Sequence, residues 1–237
     1  MVRCGLIHGF AGTSSAWDDV IEAWQLPMAP RTIALPGLGD APVLPTWEDN
    51  LAAIAGEARG CDVVIGYSLG ARVALGLVAG GHAAHGVLIG VNPGVTDDER
   101  EKRRKFDTRW AELLRTEGVE AFHDAWTAQP LFATQTRVPG DKRAKRRAAR
   151  LSLDPEQLAR SLETMGVAAM PDYWPAISAH RDRIALIAGE DDAKYVALLS
   201  SLPCASFEAI PGSGHDPTLE QPVLLANAIV RAIQRLL

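Results

Sequence analysis

The sequence predicts an α/β fold: a mostly parallel sheet flanked by helices, with helices inserted after its fourth visible strand. Three observations carry this expectation. Short apolar runs alternate with amphipathic segments, as parallel βαβ units require. A G-x-S-x-G pattern, Gly66-Tyr67-Ser68-Leu69-Gly70, stands between an apolar run, VVIGY, and a helix-forming run, ARVALGLVA. Between Asp97 and His180 the strand signals vanish and helical patterns follow one another.

The elements follow in order. Val2–Ile7 is apolar and short enough for a buried strand, and Ser14–Trp24 has helical spacing. Arg31–Ala34 is the second strand, Trp47–Ala58 the next helix and Asp62–Tyr67 the third strand. Ser68–Ala79 is a helix opening at the serine, and Gly86–Val91 is the fourth strand. The insertion reads as helices at Asp98–Arg115, Val119–Thr127, Asp141–Leu151 and Pro155–Met165, with a short piece at Pro171–Ala179. The sheet resumes at Arg183–Ala188 and Ser206–Ile210, with helices at Ala193–Ser201 and Val223–Leu236. Residues 1–96 and 181–237 are thus the expected core and 97–180 the expected lid.

Composition bounds the function. The 237 residues are 47% hydrophobic and 22% charged, ordinary for a globular α/β protein. No apolar run approaches the roughly 20 residues that span a bilayer. MVRCGLIHGF turns polar too quickly for a secretory signal. Cys4, Cys61 and Cys204 lie far apart without a CxxC pair, so they read as thiols of a cytoplasmic protein. The net charge of −5 argues against nucleic acid, and KRAKRRAAR lacks interleaved aromatics. That charge is uneven: 14 Lys and Arg against 10 Asp and Glu lie between Asp97 and Arg150, and the remainder carries 10 against 19. A basic insertion on an acidic body is either a solvated helical face or a surface turned to an anion. No stripe of exposed apolar residues announces an interface, so a monomer is expected.

G-x-S-x-G between strand and helix is the setting of a nucleophile elbow. Ser68 would sit on a strained turn, with Gly66 and Gly70 small where chain passes close and a helix N-terminus aimed at any anion beside it. The elbow needs a base and an acid in the order Ser, Asp, His. His215, in PGSGHDP after the last strand, is the base. LIAGEDDAKY offers Asp191 and Asp192, and G-x-x-D, Gly189 to Asp192, favours Asp192 as the acid. HGFAG, His8 to Gly12, follows the first strand and would supply the Phe10 amide, with the Leu69 amide, as oxyanion donors. His8 braces that loop, while His82, His85, His123 and His180 read as structural. Together these features predict the α/β-hydrolase fold.

Arg72 lies four residues past Ser68, on the same helix face. An unpaired guanidinium there is costly, so it needs a carboxylate of the protein or one of a substrate. The segments DDEREKRRKFDTRWAELL, HDAWTAQPLF and KRAKRRAARLSL, together with HGFAGTSSAW, LPGLG and GYSLGAR, resemble one family: the 2-succinyl-6-hydroxy-2,4-cyclohexadiene-1-carboxylate (SHCHC) synthases of menaquinone biosynthesis. The likeness runs from Gly5 to Pro222. It implies a lyase that removes pyruvate from a cyclohexene carrying an enolpyruvyl ether, a succinyl chain and a ring carboxylate, with no metal or organic cofactor. It makes Ser68, Asp192 and His215 the triad. It makes Tyr67, Arg72, Arg103, Trp126 and Arg150 the binders of a small polycarboxylate. Arg146 and Arg150 share one helix face and Arg143 and Arg147 another, and the crowded run leaves open which of Arg146 and Arg150 looks inward. Two departures from the family stand out: the chain begins directly at its first core strand, and residues 91–94 read VNPG where a glycine-rich stretch is common. Two other readings fit the elbow, a carboxylesterase using Ser68 covalently and a non-catalytic binder of a small acid.

Overall fold

The computed structural model describes residues 2–27 and 29–237. Six strands run parallel in the order β2-β1-β3-β4-β5-β6: β1 (Cys4–Ile7), β2 (Arg31–Ile33), β3 (Val63–Tyr67), β4 (His85–Ile89), β5 (Ile184–Gly189) and β6 (Ser206–Ile210). This is the α/β-hydrolase architecture that the alternation of apolar and amphipathic segments predicts, and all described strand pairs are parallel. β1, β3 and β5 are central and apolar throughout, as is β4 after His85, while the edge strands β2 and β6 are only partly buried.

The period-two alternation of the strands divides the core. Leu6, Ile65, Tyr67, Val87, Ile89 and Ile187 face one side with Leu225 and Ile229, and Ile7, Val64, Leu88 and Leu186 face the other with Val73 and Leu77. The first side is covered by α1 (Asp18–Glu22) and α10 (Pro222–Leu236). The second is covered by α2 (Trp47–Glu57) and α3 (Leu69–Ala79). α2 starts where Thr46 accepts the Asp49 amide, an N-cap that the sequence supplies.

After β4 the chain forms α4 (Asp97–Thr127), a 3₁₀ helix (Pro130–Arg137), α5 (Gly140–Leu151), α6 (Pro155–Met165) and α7 (Trp174–Ala179). The two helices expected at Asp98–Arg115 and Val119–Thr127 are both present within α4, parted at Gly118, whose φ of 80° interrupts the helix. The 3₁₀ helix is an addition to the expected elements. α8 (Ala193–Ser200) and α9 (Pro217–Glu220) flank the last two strand ends.

The inserted helices meet the core through ion pairs: Lys142–Asp19 at 2.7 Å, Lys145–Asp18 at 3.0 Å, Arg146–Asp216 at 3.2 Å and Arg137–Asp191 at 2.5 Å. Much of the uneven charge is therefore the attraction of basic helices to an acidic body. Among the described residues no helix is long and apolar enough to cross a membrane.

Candidate active site

The strand order reverses between β1 and β3, and in open parallel sheets the crevice for a ligand lies beyond the strand ends at such a reversal. Ser68 follows β3 there, and residues 8–12 follow β1. Ser68 has φ 53° and ψ −109°, the strained elbow conformation. A Cβ on Gly66 would lie 2.1 Å from the Gly70 carbonyl oxygen, and one on Gly70 would lie 2.2 Å from that of Ile7. Both glycines are therefore required by close approach of backbone.

His215 is brought to Ser68 by the loop after β6. Its Nδ1 lies 2.7 Å from Asp192 Oδ2 and its Nε2 3.3 Å from Ser68 Oγ. An ionised Asp192 only accepts, so Nδ1 carries the proton and Nε2 is free to accept from the serine hydroxyl. Asp192 and His215 are buried. Asp192 also accepts the Tyr195 amide through Oδ1, so capping α8 fixes the carboxylate. Tyr195 packs on the imidazole with ring centroids 4.7 Å apart, and Tyr67 lies 5.7 Å away. Asp191 is exposed and engaged with Arg137, as expected of the neighbour not chosen.

His8 braces the loop after β1. Its Nδ1 lies 2.9 Å from the Gly9 carbonyl, and its Nε2 accepts the Leu35 amide at 3.3 Å, joining HGFAG to LPGLG. Burial lowers its pKa to about 4, so it stays neutral and keeps both roles. Phe10 and Leu69 both line the cleft beside Ser68. Phe10 stands edge-on to Trp126 at 5.3 Å and to Phe122 at 6.0 Å, which ties the loop to α4.

The cations lie around Ser68 in two compartments. A cleft of about 130 Å³ is lined by Ser68, Arg72, Arg103, Trp126, Tyr195 and His215 among others. Arg72 donates to the Met165 carbonyl at 3.0 Å and pairs with no carboxylate among the described residues. Burial, and then the charge of Arg103, lower its pKa to about 10, leaving it a cation near neutrality. Arg103, which the resemblance makes a carboxylate binder, holds a protein acid, Asp107, with Nη2 3.0 Å from Oδ1 and Nε donating to Oδ2 at 3.2 Å. Asp107 is buried and Arg103 half-exposed, so the arginine's charge is shared between a protein acid and the cleft. Their spacing of four residues on α4 is the sequence signal that could have found this pair.

Arg150 lines a separate chamber of about 30 Å³ beside the loop after β1, together with Arg146, Tyr67 and Ser68. Its Nε donates to the Ala11 carbonyl at 3.1 Å, and its Nη1 lies 3.2 Å from His123 Nδ1. Both acceptors are neutral, since burial and then Arg150 itself lower the His123 pKa to about 4. His123 is thus more than the isolated structural histidine expected from the sequence. Arg146 and Arg150 both look inward, which closes the choice left between them. Arg146, however, is compensated: it pairs with Asp216 and also reaches Thr218 Oγ1 at 3.2 Å.

Asp107 permits a test of these electrostatics. Its carboxyl pKa is raised, chiefly by burial, against the opposing pull of Arg103. A raised folded pKa favours the protonated acid, so its contribution to stability is full below the ordinary carboxylate range. That contribution is lost as pH rises through the raised value. Asp107→Asn mimics the protonated form. Its Tm should match the parent's in acid and exceed it increasingly toward neutrality, as followed by thermal melts across that range.

The cleft, the strained serine and the hydrogen-bonded series Ser68, His215 and Asp192 can be compared with known proteins. The family model described as "Alpha/beta hydrolase family" matches residues 6–228. The 2-succinyl-6-hydroxy-2,4-cyclohexadiene-1-carboxylate synthase of Enterobacter sp. (strain 638) is 30% identical over 239 residues, spanning 96% of this chain and 90% of the relative. MenH from S. aureus superposes with a TM-score of 0.92 at 26% identity, over 99% of this chain and 94% of that one. A thermophilic esterase from Thermogutta terrifontis, solved with malate bound, superposes with a TM-score of 0.80 at 25% identity, over 100% and 90% of the two chains. Matched along nearly its whole length by the hydrolase pattern and by that synthase, the chain belongs to the α/β hydrolases and, among them, to the family of 2-succinyl-6-hydroxy-2,4-cyclohexadiene-1-carboxylate synthases.

Proposed function

We propose that the chain is a carbon–oxygen lyase of menaquinone biosynthesis. It eliminates pyruvate from 2-succinyl-5-enolpyruvyl-6-hydroxy-3-cyclohexene-1-carboxylate and leaves the 2,4-cyclohexadiene. The observation that carries this reading is that Arg72 and Arg150 line two cavities that both reach Ser68, each held, among the described residues, by neutral acceptors. A guanidinium kept there without a protein carboxylate is costly unless a ligand supplies one. The substrate brings three carboxylates, and arginine's planar fork suits each of them.

Ser68, His215 and Asp192 act as a base. His215 Nε2 accepts the Ser68 proton, Asp192 stabilises the imidazolium, and Ser68 Oγ removes the ring proton next to the succinyl carbonyl. The electrons left at that carbon form the new ring double bond, and the existing one shifts along the ring. The carbon–oxygen bond to the enolpyruvyl group breaks. Enolpyruvate leaves and takes a proton to become pyruvate, and no bond forms between Ser68 and substrate.

The Phe10 and Leu69 amides receive the charge that develops on the succinyl oxygen, each donor contributing on the order of 3 kcal/mol. Arg72, Arg103 and Arg150 hold the carboxylates, and Tyr67 and Trp126 shape the walls around the ring. The 3.3 Å between His215 and Ser68 would tighten once the cleft is filled.

Incubation with the enolpyruvyl substrate, followed by a coupled pyruvate assay and intact-protein mass spectrometry during turnover, tests the reading. Pyruvate should accumulate stoichiometrically with the cyclohexadiene while the protein mass stays unchanged. A covalent adduct on Ser68, or no pyruvate at all, would refute it.

A further inference from the structure

A third cavity is not used by the reaction as described. It has a volume of about 460 Å³ and lies outside the chamber, against one face of α5. Its walls include His123, Phe132, Arg143, Arg146, Arg147 and Arg150, with Asp124 the one carboxylate among its described lining residues. Arg147 pairs with Glu120 and Arg146 with Asp216. Arg143 donates through Nε to the Val138 carbonyl alone, and Arg150 has only neutral acceptors. Two guanidiniums with no ion pair among the described residues, two helical turns apart, thus stand at its outer and inner ends.

The same three side chains, Phe132, Arg146 and Arg150, line both this pocket and the small chamber that reaches Ser68. They form the partition between the two. Arg146 is pinned to Asp216 and Thr218, whereas Arg150 leans on one histidine nitrogen and one carbonyl, and Phe132 packs against Trp126 and His215. The cleft that holds Arg72 and Arg103 shares Ser68 and Phe132 with the chamber but is lined by neither Arg146 nor Arg150.

Elimination makes two products of unequal size. The ring product keeps two carboxylates and the bulk of the substrate, so it blocks the cleft while it is bound. The small product is a single carboxylate of three carbons. A positive potential behind Ser68 draws such an anion away from the ring product.

We infer that the outer pocket is a second anion site, which takes the small 2-oxocarboxylate product as it passes the partition of Phe132, Arg146 and Arg150. The exit role rests on the lyase reading; the affinity for a small carboxylate does not. The site separates the products, so the small one can leave before the large one.

Calorimetric titration of pyruvate into the chain saturated with the ring product tests this. Pyruvate should bind with the ring product in place, and neutral methyl pyruvate should not. The double substitution Arg143→Ala and Arg147→Ala should weaken pyruvate by about tenfold or more. Without added pyruvate, kcat/KM of that variant should stay within about twofold of the parent, because neither side chain lines the cleft or the chamber. Displacement of pyruvate by the ring product, or equal affinity in the double variant, would overturn the site. A chain that binds pyruvate through these arginines but releases none from the enolpyruvyl substrate would overturn the lyase reading and the exit role, and leave the carboxylate site standing.

Discussion

Ser68→Ala is expected to lower kcat for pyruvate release by about 10⁴-fold or more, with KM changed by less than about threefold. The serine oxygen lies 3.3 Å from His215 Nε2 on a residue that lines the cleft, and alanine leaves nothing to carry a proton. The arginines that bind the carboxylates are untouched, so affinity should survive. His215→Ala should match this loss rather than add to it, because the pair works as one unit and its effects are not additive. Substrate carrying deuterium at the abstracted ring position should react more slowly with the parent chain. Measured rates for the two single variants, the double variant and the deuterated substrate check all parts of this expectation.

Arg72→Met is expected to reduce kcat/KM by about tenfold to a thousandfold, roughly 1.5–4 kcal/mol of transition-state stabilisation. Its stability should move the other way. Arg72 donates to the Met165 carbonyl and touches the Met170 sulfur, without a carboxylate. Methionine fills similar volume without a desolvated charge, so Tm should hold or rise. A residue kept for packing would show the reverse, with a fall in Tm and little change in kinetics. Denaturation and steady-state measurements on one preparation separate the two roles.

The parts of the site that the sequence exposes are those fixed by local rules. Gly66-Tyr67-Ser68-Leu69-Gly70 is legible because a strand-to-helix turn this tight tolerates only glycine on either side of the serine, as the contacts of Gly66 and Gly70 show. His215 and Asp192 are legible because loops following the last two strands must end near that turn. Strand positions are legible for a similar reason: Val63–Tyr67 and Ile184–Gly189 are apolar on both faces and buried throughout.

Pairings between distant segments escape such rules. Nothing near Arg146 in sequence announces Asp216, seventy residues away, or sends Arg150 to the Ala11 carbonyl. The division of the cations into two compartments also depends on Phe10, Trp126 and Phe132 meeting in space. Tyr195, packed on the imidazole, carries no motif of its own. The 3₁₀ helix Pro130–Arg137 has too short and irregular a pattern for periodicity to reveal.

The most direct measurement compares kcat/KM for the enolpyruvyl polycarboxylate with kcat/KM for a neutral p-nitrophenyl ester on the same preparation. Cations gathered around Ser68 predict that the polycarboxylate is favoured by about 10³-fold or more, and that Arg72→Met erases much of that preference. Equal or faster turnover of the neutral ester, indifferent to Arg72, would contradict the account.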